Sequence, residues 1–252
     1  MFYYPDLTHN IMGIILLMFA NFCDSTDGQL ARLTGQKTLI GRMLDGFSGD
    51  VWFLAIYLAI VFRIWNTPIP FTDIPWSFAG LLICSIAGFI CHSQQYSLSD
   101  YYRQIHLYFL LGKNGSELDN YESQKKIYDS LPQKGAFWAH QFYFFYMRYC
   151  RGQEKRTPEF QRFFNHLQAR FPQVDDIPQP LRDEFRQGSL PLMKYTNLLT
   201  FNTRAITLYI SCLLGVPYVY PLVEIIVFSI MYRHMHHTHE ALCRRLDEKY
   251  CQ

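Results

Sequence analysis

The sequence has few charged residues for its length. Asp, Glu, Lys and Arg make up 17% of the 252 residues, whereas about a quarter of a soluble globular domain is charged. Half of the residues are hydrophobic, and several stretches are almost free of charge while the rest is densely polar. This pattern excludes a disordered or collagen-like chain and favours a membrane protein with a polar elaboration. The formal net charge of +2 does not predict nucleic-acid binding.

The sequence also lacks a disulfide framework, a zinc motif and a signal peptide. Its seven cysteines are an odd number, and none of them forms a CxxC pair. Most lie in apolar stretches, where a free cysteine behaves as a small hydrophobic residue. The first ten residues, MFYYPDLTHN, contain no Lys or Arg and therefore lack the basic start of a secretory signal.

Long apolar stretches are abundant. Three of them lie at about 10–23, 51–65 and 75–92. A fourth, at 201–232, is interrupted by GVPYVYP, which predicts a hairpin of two helices. A membrane-spanning helix needs about 20 mostly apolar residues. Several of these stretches are shorter than that, so a span built on them would include polar residues at membrane depth. We therefore predict an all-α fold, a polytopic transmembrane helical bundle with five spans and a cytoplasmic helical insertion.

The basic residues are divided unequally between the two predicted sides of the membrane. If 24–50 faces one side, the loop at 66–76 and the turn GVPYVYP face the other. Of the 23 basic residues, only Arg63 lies near that other side. The positive-inside rule then makes 24–50 cytoplasmic. We expect an integral, multi-pass membrane protein with this segment on the cytoplasmic side.

The segment 112–199 is polar, interrupted by prolines and predicted to be helical. Within it, 136–150 reads AFWAHQFYFFYMRYC, which is too short to span and precedes a basic stretch. We predict an interfacial or packed amphipathic helix there. The predicted organisation has transmembrane helices in 1–111, the cytoplasmic or interfacial insertion in 112–199, and a C-terminal transmembrane hairpin with a cytoplasmic tail in 200–252.

Acidic residues and glycines gather between Asp24 and Asp50. Asp24 and Asp27 are three residues apart, so a helix places both on one face, and Asp45 begins the next apolar helix. Two helix ends would thus bring three or four carboxylates together at the membrane boundary. Such a cluster is unstable alone, because like charges raise one another's pKa and a carboxylate near hydrocarbon is costly. We therefore predict two hard divalent cations, Mg²⁺ or Mn²⁺, which would clamp a pyrophosphate.

The spacing of this segment resembles the signature of the CDP-alcohol phosphotransferase family, also called the CDP-alcohol phosphatidyltransferase family. That signature is D-x2-D-G-x2-A-R-x8-G-x3-D-x3-D, and seven fixed positions at fixed gaps make the resemblance specific. The residues that match in type and spacing are Asp24, Asp27, Gly28, Ala31, Arg32, Gly41 and Asp45. The resemblance implies that Asp24, Asp27, Asp45 and Asp50 bind the metals, and that Gly28, Ala31, Arg32 and Gly41 line the CDP site.

The resemblance also implies an activity and its partners. The enzyme would transfer a phosphatidyl-type group from a CDP-activated lipid, such as CDP-diacylglycerol, to a small alcohol, releasing CMP in phospholipid biosynthesis. The acceptor would be inositol, inositol phosphate or glycerol phosphate. The implied partners are the CDP-linked lipid donor, the alcohol, the lipid bilayer and a second copy of the chain in a homodimer, with no nucleic acid.

Three other functions stay open at this point. Within the same family, the donor would be a soluble CDP-choline or CDP-ethanolamine and the acceptor a lipid alcohol. Alternatively, the chain is a non-catalytic membrane scaffold that kept the motif, or a metal-dependent lipid phosphatase. Release of CMP in the presence of an alcohol separates the transferases from the other two classes.

Two departures from the family pattern concern the last Asp and the N-terminus. Position 49 is Gly49, and the acid is Asp50, which a regular helix points about 140° away from Asp45. A one-residue π-bulge near Gly46 would return Asp50 to the metal face, and on that basis we assign it the family's role of general base. The family usually has one more helix before the motif, whereas only 1–23 precede it here, so we expect a truncated or internal start.

Some polar residues outside the motif have two interpretations each. Those near the cytoplasmic ends of predicted spans bind either an anionic acceptor or lipid headgroups; they are Arg103, Lys125 and Arg204. Glu224, inside an apolar stretch, is either functional or paired with a polar group of a neighbouring helix. The four histidines within 234–239 follow the last predicted span, and we favour an interfacial tail over a metal site.

Overall fold

The structure is a computed structural model that describes residues 1–36, 39–112, 116–132, 137–172 and 176–251. At positions 32, 39, 40, 42–47 and 50 it describes the backbone alone. The described part of the chain consists of helices joined by short turns, with no β-sheet. The predicted all-α class is therefore confirmed.

The first two helices form an antiparallel hairpin. Helix α1 (Leu7–Leu33) begins where the Asp6 carboxylate accepts a hydrogen bond from the backbone N–H of His9 at 3.0 Å, an ordinary N-cap. It ends at Gly35, whose positive φ of 69° favours glycine. Helix α2 (Leu39–Ile64) then runs back. Arg63 Nη1 of α2 donates a 2.8 Å hydrogen bond to Asn10 Oδ1 of α1 and ties together the ends remote from the turn.

Helix α3 (Ser77–Leu111) is longer than the predicted span at 75–92. Its middle, Ile86–His92, is a π-helical segment, and the helix continues without a break to Gly112, which has φ 76°. A glycine in this conformation is a common helix C-terminus. Apolar residues become less frequent after His92, but the helical backbone hydrogen bonds continue to Leu111.

The hairpin predicted around GVPYVYP is present. Helix α9 (Phe201–Leu213) ends at Gly215, where φ is 74° and the N–H of Val216 bonds to the carbonyl of Ser211 at 2.9 Å. Helix α10 (219–250) follows and contains a second π-helical segment, Glu224–Phe228. It does not end near Tyr232 as predicted but continues to Tyr250.

The segment between α3 and α9 is helical, as predicted. Its helices are α4 (Tyr121–Ser130), α5 (Phe137–Arg156), α6 (Pro158–Arg170), α7 (Gln179–Ser189) and α8 (Met193–Leu198). Pro158 occupies the first turn of α6, where a missing N–H costs nothing. The amphipathic stretch predicted at 136–150 lies in α5.

The chain divides into two compact units. The first unit comprises 1–94 and 201–229, and the second comprises 95–200 and 230–252. The sequence placed its divisions at 111 and 199, whereas these boundaries at 94 and 229 fall inside α3 and α10. The first unit has a core of apolar side chains from five helices, which include Leu17, Ile60, Ala87, Leu208 and Tyr220.

The second unit has an aromatic core. Phe109 of α3 stacks on Phe185 of α7 with ring centroids 3.9 Å apart, and Phe160 and Phe163 of α6 are fully buried. The N-terminus of α6 is satisfied from α10, because the N–H of Glu159 donates to the Glu240 carboxylate at 2.8 Å. Buried rings and a charged cap thus join four helices of this unit, α3, α6, α7 and α10.

Two described helical stretches are long and apolar enough to cross a membrane, Leu7–Ala31 and Ser77–Leu111. The apolar part of α2, Val51–Ile64, is shorter. In the most apolar part of each of these two long stretches, only 17% and 22% of the residues, respectively, are buried inside the protein. Most of their apolar surface therefore points outward, as it does for Phe22 and Phe78.

Candidate active site

The first half of the motif lies on one face of α1. Asp24 and Asp27 are both exposed, and Gly28 and Ala31 continue the same side of the helix half-buried. Within the described part of the chain, neither carboxylate has a hydrogen-bond or ion-pair partner. The helix therefore presents two open carboxylates beside two small residues, which is an arrangement that a cation and a closely approaching phosphate can use.

The second half of the motif lies on α2. Gly41 is exposed in the first turn of this helix, and the backbones of Asp45 and Asp50 follow within it. The structure describes only the backbone of Arg32, Asp45 and Asp50. Among the described side chains no three His, Cys, Asp or Glu residues form a possible metal site, so the convergence on Asp45 stays a prediction.

The two halves of the motif lie at similar distances along the two arms of the hairpin. Starting from the Arg63–Asn10 hydrogen bond, Asp27 lies 17 residues along α1 and Asp45 lies 18 residues along α2. At 1.5 Å per residue, these distances are about 26 Å and about 27 Å. The two acids therefore lie at similar distances along their helices from this hydrogen bond.

The π-bulge predicted near Asp50 is absent from the described backbone. Helix α2 is α-helical throughout Leu39–Ile64, so the prediction of a bulge is wrong, and about 140° separates Asp45 from Asp50 around the helix. A Cβ atom added at Gly49 would meet nothing within 4 Å. The position that the family gives to its last Asp is therefore open to a side chain.

A polar contact next to the motif was not found from the sequence. Asn21 Nδ2 of α1 donates to Asn202 Oδ1 of α9 at 3.5 Å, one turn before Asp24. This contact brings the N-terminal end of α9 beside the motif. The only signal in the sequence is that Asn21 interrupts the apolar stretch just before the first motif acid.

A fully buried ionic network lies elsewhere in the first unit. The Glu224 carboxylate of α10 accepts from Arg204 Nη1 of α9 and from the Tyr57 hydroxyl of α2, and His92 Nδ1 of α3 lies 3.3 Å from it. The Tyr57 hydroxyl is also 3.2 Å from that of Tyr220. Four helices thus meet at one carboxylate, and of the two interpretations of Glu224 the structure shows the pairing with neighbouring helices.

The other polar residues singled out in the sequence are distributed as follows. Arg204 has 0% exposure, so its predicted position at a headgroup or acceptor surface is wrong. Arg103 and Lys125 are exposed on α3 and α4 in the second unit, and their acceptor role stays a prediction.

The histidines of 234–239 are part of helix α10 and not of a tail. His239 is completely buried, stacked on Tyr102 with ring centroids 3.9 Å apart. Its Nδ1 lies 3.6 Å from Cys243 Sγ. The interpretation of this cluster as an interfacial tail is therefore wrong for His239, which is a core residue of the second unit.

Comparison with known proteins identifies one family. Residues 1–109 match the family described as CDP-alcohol phosphatidyltransferase, and this match includes α1, α2 and nearly all of α3. The resemblance drawn from the motif is thereby confirmed, and the family is a family of phosphotransferases. No curated protein and no solved structure matched the chain.

Proposed function

We propose that this chain, whose residues 1–109 match the CDP-alcohol phosphatidyltransferase family, transfers a phosphatidyl-type group from a CDP-activated lipid to a small alcohol and releases CMP. The observation that supports this most is the motif itself, whose acids lie on both arms of the α1–α2 hairpin. Asp27 and Asp45 lie at similar distances along the two arms from the Arg63–Asn10 hydrogen bond, and Asp24 and Asp27 are exposed.

The carboxylates fit a divalent-metal site. Oxygen ligands suit Mg²⁺ or Mn²⁺, and Asp24, Asp27 and Asp45 would hold two such ions. When bound, the ions would neutralise the charge of the pyrophosphate and of the leaving CMP. Gly28 would let the pyrophosphate approach the backbone of α1 closely, because a glycine has no Cβ.

The remaining motif residues would orient the two substrates. Ala31, Arg32 and Gly41 would line the CDP-binding site, with the Arg32 guanidinium suited to a phosphate. A base would take the proton from the acceptor hydroxyl as the hydroxyl oxygen attacks the β-phosphorus. Asp50 is the acid that the motif offers for this role, although no bulge returns it to the face of Asp45. The P–O bond to CMP then breaks, and CMP leaves. Catalysis would thus come mainly from positioning and electrostatic stabilisation.

We also propose that the first unit is embedded in a bilayer, with the motif on the cytoplasmic side and 112–199 as a cytoplasmic or interfacial insertion. The outward apolar surfaces of α1 and α3 support this arrangement. Labelling with an impermeant thiol reagent tests it, in a background where the accessible Cys23, Cys91 and Cys251 are replaced by Ser. Asp73→Cys should react from outside intact cells, and Lys155→Cys should react only after permeabilisation. The reverse pattern would overturn the orientation.

The activity is tested by CMP release. Purified protein in detergent micelles is given CDP-dioleoylglycerol, Mg²⁺ and, one at a time, inositol, inositol phosphate and glycerol phosphate. We expect alcohol-dependent CMP release that Asp27→Asn lowers by at least about 100-fold, because an uncompensated charge appears in the transition state. Asp73→Asn, an exposed loop acid, is the matched control and should keep full activity. An active Asp27→Asn enzyme would contradict the metal assignment.

One observation favours a second candidate function. The regular helix through Asp50 leaves the family's base position occupied by Gly49, which suits a membrane scaffold that kept the motif without the chemistry. The same assay decides between the two. If no alcohol in the panel releases CMP while the wild-type protein still binds CDP-dioleoylglycerol, the scaffold is the better account.

A further inference from the structure

Helix α5 of the second unit has one packed face and one open face. The packed face carries Tyr146, Cys150 and Gln153, which are all buried. The Tyr146 hydroxyl donates to the Asp119 carboxylate at 2.5 Å, and Gln153 Nε2 donates to the carbonyl of Ser97 at 3.1 Å. These contacts fix the rotation of α5 about its own axis, so they also determine which residues lie on the open face.

Three aromatic side chains form a stripe on the open face, which we call the aromatic stripe. It consists of Trp138, Phe145 and Tyr149. Trp138 is 81% exposed, Phe145 is 61% exposed, and Tyr149 is exposed as well. Residues seven and four positions apart lie within about 40° of one another around a helix. A contiguous exposed apolar surface of this kind is typical of a site that contacts another protein or a membrane.

Basic side chains form a second stripe beside the first, which we call the basic stripe. It consists of Arg148, Arg151 and Lys155, which are all exposed and lie about 60–120° around the helix from Phe145. Within 137–156 the only acid is Glu154, whose carboxylate accepts a 2.7 Å hydrogen bond from the first backbone N–H of α4. The open face therefore combines aromatic rings with positive charge.

Another exposed helix surface of the same unit has a different composition. Between 241 and 249 on α10, the exposed residues are Ala241, Arg244, Arg245, Glu248 and Lys249. This surface mixes both signs of charge and contains no large apolar side chain, which is ordinary for a helix that faces water. The aromatic and basic stripes of α5 are thus a local feature and not the general character of the unit.

The chemistry of the two stripes matches the surface of an anionic bilayer. Trp and Tyr rings are enriched at the headgroup level of membranes, and helices that lie in this interface carry aromatic residues beside Lys and Arg. The cytoplasmic leaflet is negatively charged, and each basic side chain near such a surface strengthens association about fivefold. The proposed function embeds the first unit of this same chain in a bilayer, so a surface of that chemistry adjoins the protein.

We propose that the open face of α5 binds the surface of an anionic bilayer, with the aromatic stripe between headgroups and acyl chains and the basic stripe against the lipid phosphates. The inference rests on the membrane arrangement in the proposed function and not on its chemistry. It deepens that arrangement, because it makes this part of 112–199 interfacial and names the charge of the lipid that it contacts.

Fluorescence quenching in nanodiscs tests which surface covers this face. The full-length protein is used in the background where Cys23, Cys91 and Cys251 are replaced by Ser, and Phe145→Cys carries a nitrobenzoxadiazole dye. Nitroxide groups on the lipid acyl chains quench a dye that lies beside them. In phosphatidylcholine discs with about one third phosphatidylserine, we expect the dye at 145 to be quenched at least about threefold more than a dye at Glu248→Cys on α10.

The charge of the lipid and the charge of the protein are then varied separately. Phosphatidylglycerol should replace phosphatidylserine without loss, because both are anionic, whereas pure phosphatidylcholine should lower the quenching at 145 at least about threefold. A triple change in the basic stripe should lower it as much in anionic discs; this variant is Arg148→Gln, Arg151→Gln and Lys155→Gln. The matched control removes three positive charges from α10 and should leave the quenching unchanged; it is Arg244→Gln, Arg245→Gln and Lys249→Gln.

Three results would overturn the proposal. The first is equal quenching of dyes at 145 and 248, and the second is quenching at 145 that does not depend on lipid charge. The third is a dye at 145 that is shielded from water without being quenched by the lipids, because a protein surface would then cover the face. Trp138→Cys, on the same stripe, repeats every measurement if Phe145→Cys does not fold.

The outcome is separable from that of the CMP-release assay. If the dye at 145 is quenched as expected but no alcohol releases CMP, the proposed chemistry fails and the membrane contact of α5 stands. If CMP is released and the dye at 145 is quenched no more than the dye at 248, the membrane contact of α5 fails alone.

Discussion

The two compact units differ in how many of their large apolar side chains are exposed, because most of the exposed ones in the described part of the chain lie in the first unit. In the first unit, Arg204 and Glu224 are fully buried while Phe78 is 75% exposed. In the second unit, Phe163 is fully buried while the Lys249 ammonium pairs with a carboxylate at the surface. This difference supports the surroundings that we propose, hydrocarbon for the first unit and water for the second.

The contrast also explains why a charge network can persist in the first unit. In hydrocarbon an unpaired Glu224 would be very costly, so its carboxylate gathers partners from every neighbouring helix. In water the same carboxylate would be solvated without any of them. The network is thus a consequence of the surroundings that we propose, and its removal tests them.

The largest effect that we expect is on turnover, from a change at Asp50, the motif acid that lies one residue beyond the family's spacing. Asp50→Asn should lower kcat by about 100-fold or more and leave binding of CDP-dioleoylglycerol unchanged, because a base acts on the acceptor step. The double change Gly49→Asp with Asp50→Gly should restore activity, since the space at Gly49 is open. Full activity of Asp50→Asn would remove Asp50 as the base.

The next effect is on stability and bears directly on the comparison of the units. Glu224→Gln leaves Arg204 buried without its counter-charge, which typically costs about 3–5 kcal/mol. The double change Arg204→Met with Glu224→Met should cost less than either single change, because no buried charge is left. Denaturant unfolding in detergent micelles measures all three.

The matched control for that experiment is an ion pair of the second unit. Glu184 accepts from Lys249 Nζ at 2.6 Å on the surface, where water screens the charges. Glu184→Gln should leave the unfolding midpoint nearly unchanged. If it destabilised the protein as much as Glu224→Gln, the two units would not differ in the way described.

A smaller effect is a loss of stability in acid that comes from the second unit. Burial lowers the pKa of His239, and the nearby Glu240 carboxylate offsets this only in part. In the unfolded chain histidine has a pKa near 6.5, so below about pH 6.5 the unfolded state binds more protons than the folded state. The free energy of unfolding should therefore fall with pH below this value, by at most about 1.4 kcal/mol per pH unit for one proton.

Two histidine variants isolate this contribution. His239→Phe removes the titrating group, so thermal unfolding measured between pH 5 and pH 8 should have a shallower pH dependence. His237→Phe alters an exposed histidine of the same helix and should leave the wild-type slope. An unchanged slope in His239→Phe would assign the acid sensitivity to other groups, such as His236, whose pKa burial also lowers.

What the sequence predicted was local, and what it missed depends on packing. The spacing of the motif and the turn at GVPYVYP depend on neighbouring residues alone, and both were identified. The partner of Glu224 could not be, because Arg204 lies twenty residues away on another helix. The two π-helical segments, Ile86–His92 and Glu224–Phe228, lie in stretches that are almost continuously apolar, so no periodicity in the sequence marks the added residue.

One missed feature did have a signal. The segment RHMHHTHE has the composition of a solvated tail, but Met235, His239, Leu242 and Leu246 are spaced three or four residues apart and form the buried face of α10. Composition suggested an interfacial segment, whereas periodicity would have placed His239 in a core. The spacing of these four residues, and not the composition of the segment, therefore identifies the buried face of α10.

The π-helical segment Ile86–His92 makes the number of residues in α3 part of the architecture. A π turn accommodates one residue more than an α-helix of the same course, and His92 is the last residue of this segment. If the segment closed into a regular α-helix with its length unchanged, every later side chain would rotate by about 100°, taking His92 away from Glu224. Deleting one residue within 86–91 would instead allow a regular helix that keeps the later side chains in place, so a one-residue gap here in a homologue's alignment is compatible with the network.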